Sequence, residues 1–244
     1  MRRLAATGLA ALTAVALITS TGCTQQSSTP STAAAPSTST QATHVAPTTK
    51  PAPGSSTAPT TTTTVASSPP PPTANPATGI QIGLGPQANY TVEPQPAPGS
   101  CHYTYVGSDP LPDPRCTPGA INPQVTQDNI ESTICSSGFT STIRPPESVT
   151  EPEKGASAVA YGYTGSFHVA EYDHLISLEL GGDPNDPANL WIEPPDNPNA
   201  TSFANTKDRL ENRLNSLVCS GQLSLATAQQ AIASNWVAAY QTYG

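Results

Sequence analysis

The densest group of side chains able to do chemistry is Glu171-Tyr172-Asp173-His174, followed at a distance by Asn189 and then by Asn205-Thr206-Lys207-Asp208. A carboxylate binds a hard cation through oxygen, and an imidazole takes a proton from water near neutral pH. Side by side, the two can divide the labour of metal-assisted hydrolysis. The same pair can equally make structural hydrogen bonds at a strand end. Asn189, after Asp186-Pro187, also suits a turn, and Asn205 suits a helix N-cap. Along a regular strand neighbouring side chains face opposite ways. Asp173 and His174 therefore share a metal only where the strand ends or bulges. Lys207, Arg209 and Arg213 read as a solvated helix face or, with Arg144, as contacts to a substrate phosphate. Glu171, Asp208 and Glu211 are substitute metal ligands or plain surface carboxylates.

Taken in order, Asp173-His174-Leu175-Ile176-Ser177-Leu178-Glu179-Leu180-Gly181-Gly182, Asn189-Leu190-Trp191 and Asn205-Thr206-Lys207 resemble the HNH, or ββα-metal, nuclease motif. The resemblance covers about residues 167–213. It extends more loosely, from Pro110 through Cys135 to the last helix, to secreted actinobacterial proteins described as HNH-like. It implies two strands and a helix around one divalent ion, Mg²⁺ or Mn²⁺ before Zn²⁺. His174 would be the general base, Asn189 the residue that orients the loop, and Asp173 and Asn205 the metal ligands. Arg144, Lys207 and Arg209 would face the substrate. Ile192 stands where Pro usually follows the Asn-Leu-Trp motif, a difference of loop shape.

The elements that must position these residues are predicted as an α+β fold with a small ββα core and additional helices. A short helix is expected over residues 127–134, capped by Thr126 and burying Ile130 and Ile134. A strand is expected over 139–144, ended by Pro145-Pro146, and a weak helix over 151–160. Strands at 167–173 and 190–192 flank the turn Gly181-Gly182-Asp183-Pro184. Two helices close the chain: one carries the stripe Leu210, Leu214, Leu217 and Val218, and the other, capped by Ser224, buries Leu225, Ala228, Ile232, Trp236 and Ala239.

Ahead of this domain the composition changes. Met1-Arg2-Arg3 and the apolar run from Leu4 to Ile18 have the layout of a secretory signal; the run is too short and too interrupted for a membrane span. Thr19-Ser20-Thr21-Gly22-Cys23 resembles a lipobox, with Ser20 where an aliphatic residue is usual, and implies a lipid on Cys23. Residues 24–79 are nearly all Ser, Thr, Ala and Pro. Such a stretch buries too little apolar surface to offset its ordering entropy, so a disordered tether is expected. The domain proper is expected over 80–244. Setting Cys23 aside leaves Cys101, Cys116, Cys135 and Cys219 of the five cysteines, an even set that reads as two disulfides in an exported protein. Of three connectivities, Cys101 with Cys116 and Cys135 with Cys219 is favoured. No spacing matches a zinc ribbon.

Charge weighs against a polyanionic substrate. Of nine basic residues, Arg2, Arg3 and Lys50 lie outside the domain; six remain against seventeen acidic ones, a formal charge of −11. Nucleic-acid affinity comes largely from basic phosphate contacts. Three functions therefore stand side by side: an exported metal-dependent phosphodiester hydrolase acting on nucleic acid, a non-catalytic envelope-binding or adhesion domain on a lipid-anchored stalk, and a structural lipoprotein without a substrate. Each would be monomeric.

Overall fold

The computed structural model describes residues 72–203 and 205–244. The expected signal, Cys23 and most of the expected tether lie outside the described residues. The fold is α+β. Hydrogen bonding into the domain begins before residue 80, because Ile82 N donates to Thr73 O and Ala74 bridges Gln81.

Among the described residues three two-stranded sheets form. Strand β1 (Gln81–Ile82) runs parallel to β4 (Ala120–Ile121), and β2 (Thr104–Val106) pairs antiparallel with β3 (Asp109–Leu111). The hairpin that carries the candidate residues is β5 (Glu171–His174) against β6 (Leu190–Glu193), in the register Glu171 to Glu193 and His174 to Leu190. The first of these strands is shorter than the sequence predicts, because residues 167–170 are held by side chains instead: Lys154 Nζ donates to the carbonyls of Phe167 and Ala170.

Four α-helices accompany them among the described residues: α1 (Phe139–Ile143), α2 (Glu147–Tyr161), α3 (Lys207–Cys219) and α4 (Leu225–Tyr243). The segment expected as a strand at 139–144 is therefore helical. Its two apolar residues, Phe139 and Ile143, are four apart, which places both on one face of a single turn as readily as on a strand, and Ile143 is buried. The weak helix at 151–160 is longer at both ends, starting directly after Pro146. The expected helix at 127–134 is a 3₁₀ turn over Gln127–Ser132, with Thr126 as its N-cap. In α4 the backbone leaves helical geometry at Asn235, whose Oδ1 recaps the second segment by accepting from Ala238 N.

Helices α3 and α4 pack on each other and enclose the main core, in which Leu210, Leu214, Val218, Ile232 and Trp236 meet Ile121, Ile176 and Leu180. A second core surrounds Trp191 and gathers Tyr103, Tyr161, Ala158 and Cys101. Cys101 is bonded to Cys116 and Cys135 to Cys219, the pairing favoured from sequence. Two disulfides in so small a domain mark a protein of an oxidising, extracellular compartment. Among the described residues no helix is long and apolar enough to cross a membrane.

Candidate functional site

Asn189 stands at the start of β6, against the loop that follows β5. Fully buried, its Nδ2 donates to Ile176 O and Asp183 O while its Oδ1 accepts from Ile176 N and Ala120 N. All four hydrogen-bonding positions of the amide are used, so the loop after β5 is fixed to the start of β6. The double glycine is part of this clamp. Gly181 has φ +71°, and a Cβ on Gly182 would lie 1.7 Å from Ile176 O, so no other residue fits there.

His174 closes β5 with its side chain buried and Nε2 3.0 Å from Pro184 O. A carbonyl only accepts, so Nε2 carries the proton and Nδ1 is the basic nitrogen. Burial pulls this imidazole down to about 4, against the upward pull of Asp173, and it is neutral at pH 7.

Asp173 takes a different direction. The strand continues in register through His174, without a bulge, so pleating sends the neighbouring side chains to opposite faces. Asp173 Oδ2 lies 2.5 Å from Lys207 Nζ. That ammonium also donates to His174 O at 2.8 Å and to Glu211 Oε1. Lys207 is fully buried, which corrects its reading as a solvated or phosphate-facing residue. Burial alone would lower its pKa, but Asp173, Glu211 and Glu193 raise it well above the usual lysine value. Burial likewise opposes ionisation of Asp173, and Lys207 overrides it, holding the carboxyl low.

Glu193, opposite Glu171 in the register, joins the same face. It is fully buried, and neither carboxylate oxygen has a hydrogen-bond partner. Burial and then the Asp173 charge push it well above the usual carboxylate range. Burial, opposed by Lys207, lifts Glu211 to about 8. The centre is thus one ammonium among three carboxyl groups, contributed by β5, β6 and α3.

The remaining expected site residues lie around it. Asn205 Oδ1 accepts from Asp208 N at 2.9 Å in the first turn of α3, and Asp173 Oδ2 accepts from Lys207 Nζ. This pair would have to give up those bonds before both oxygens faced a divalent ion. Arg209 is exposed over the Tyr240 ring. Arg144 is exposed and near enough to His174 and Glu171 to act on their charge. Arg213 donates to Tyr243 O at the end of α4.

Sequence reading passed over Glu193 and the burial of Lys207. A signal existed: Lys207 lies three residues before Leu210 and seven before Leu214, on the buried stripe of α3. Nearby, a groove of about 790 Å³ is lined by Tyr105, Tyr163, Val169, Pro194, Pro195 and Pro198, with no charged side chain in its walls. Comparison with protein-family models, characterised proteins and solved structures finds no match to this chain.

Proposed function

We propose that the domain is a non-catalytic binding module for the cell envelope, carried outside the membrane on a tether anchored through Cys23. The observation that carries this reading is the Lys207 ammonium, which fills the acidic centre where the ββα-metal resemblance places an ion. The uncharged aromatic and proline groove supports the same reading. Pockets of this kind take ligands with apolar faces and few charges, and the acidic surface repels polyanions. An uncharged envelope polysaccharide has the right chemistry. Isothermal titration with isolated envelope polysaccharide should show binding that a Tyr105→Ala/Tyr163→Ala protein loses. Binding unchanged by that pair would remove the groove from the reading.

A second reading, hydrolysis of phosphodiester bonds, is favoured by the neutral His174 and by the Asn189 clamp beside it. It requires Lys207 to release Asp173. Plasmid nicking with Mg²⁺ or Mn²⁺ that disappears in His174→Ala would establish it and displace the binding module.

A further inference from the structure

The arrangement of Lys207, Asp173, Glu193 and Glu211 fits a reaction within the chain itself. We propose that Lys207 Nζ and Asp173 Cγ condense to an intramolecular amide, a covalent bond between α3 and β5 formed with loss of one water.

Three features carry this. The nucleophile and the acyl group are in contact, with Nζ 2.5 Å from Asp173 Oδ2, and contact held by a folded scaffold is worth an effective concentration of about 10⁵ to 10⁸ M. The pair is also sealed from water. Lys207 has zero exposure and the Asp173 side chain 11%, so an amide formed there is shielded from hydrolysis. An ion pair in such a place carries a large desolvation cost, which a neutral amide removes. Finally, an acid and a base stand on either side. Glu193 is fully buried on the face of the hairpin that carries Asp173, and burial together with the Asp173 charge favours its protonated form. Glu211 accepts directly from Nζ.

The steps balance without a cofactor. Glu211 takes one proton from the ammonium, and the freed lone pair attacks Asp173 Cγ. Glu193 gives its proton to the departing oxygen, and a second proton from nitrogen follows it as the C–O bond breaks. Ammonium and carboxylate become amide and water, and the proton on Glu211 restores Glu193. Asp173 is the acyl partner rather than Glu211, because its charge acts on the Glu193 acid more strongly than that of Glu211 does. The product would fasten the last helical layer to the hairpin covalently, a gain for a domain outside the cell, and it does not depend on what the groove binds.

Mass spectrometry of the full-length protein, purified from the cell envelope and reduced, tests this. Trypsin should fail to cut after Lys207. It should leave a peptide over residues 155–209 that is lighter by one water and yields no backbone fragments between 173 and 207. Asp173→Asn should give the same amide with loss of ammonia instead, whereas Asp173→Ala should restore cleavage after Lys207. In Glu193→Gln the bond should form at least 10²-fold more slowly, the range for loss of a general acid. Wild-type protein with both disulfides intact, full mass and ready cleavage after Lys207 would overturn the proposal. So would a water loss that persists in Asp173→Ala, since that bond would run to Glu211.

Discussion

Removal of either Lys207 or Asn189 leaves several buried polar groups unsatisfied. Lys207→Met deletes the only cation among Asp173, Glu193 and Glu211. Removing one partner of a buried ion pair costs about 3 to 5 kcal/mol, because the other charge remains buried. Chemical denaturation should show that loss, whereas Arg209→Met, at an exposed position, should change stability by less than about 0.5 kcal/mol. Asn189→Ala is of another kind. It strands the Ile176 and Ala120 amides and the Ile176 and Asp183 carbonyls, each at about 1 to 3 kcal/mol if left unpaired. The expected outcome is a domain that fails to fold or melts far below the parent. An Asn189→Ala protein as stable as the parent would mean that the loop is held elsewhere.

Between elements, the two disulfides are unequal in what they close. The Cys135–Cys219 bridge spans 84 residues and the Cys101–Cys116 bridge spans 15, and loop-closure entropy grows with the logarithm of length. Replacing the first pair with serine should cost about 1 to 2 kcal/mol more than replacing the second, as read by urea denaturation of the two double variants. Both pairings were legible in the sequence, as were α3 and α4, whose apolar stripes are long. So was the β5–β6 hairpin, although its first strand is shorter than expected. Segment 139–143 was misread because two apolar residues four apart satisfy either period in a stretch of five. The site was legible as a set of positions but not as a set of alliances. Asn189 clamps and Asn205 caps, as their residue types suggest. Asp173 turns to a lysine because the strand stays regular, and single-sequence spacing contains no information on that.

Across the whole molecule, the surplus of acid sets the response to pH. Glu153 sits on the stripe Val149, Glu153, Ser157 and Tyr161 of α2 and is fully buried. Its Oε1 accepts from Glu93 N, while Oε2 has no partner. Burial lifts this carboxyl from 4.5 to about 7, against the Glu93 amide that lowers it. The folded state therefore holds a proton that the unfolded chain releases above pH 4.5, and stability falls as pH rises from there through about 7. Glu171 is lifted to about 7 by burial and Asp173 and acts in the same direction. His174 and Asp113 act oppositely. Burial holds the imidazole at about 4, so its contribution grows as pH rises from there toward 6.5 and offsets part of the carboxyl effect. The hydrogen bond from Arg115 holds Asp113 well below 3.8, so its contribution is complete above that pH and is lost only as pH falls further. Melting temperature should thus peak near pH 4.5 to 5 and decline toward pH 8. Glu153→Gln should flatten the decline and stabilise the domain at pH 8 by as much as about 3 kcal/mol. General relief of negative charge predicts a similar trend with pH, so Glu131→Gln, at an exposed position, is the control: it removes the same charge and should leave the slope nearly unchanged. Equal effects from the two variants would assign the pH response to net charge rather than to the buried carboxyl of α2.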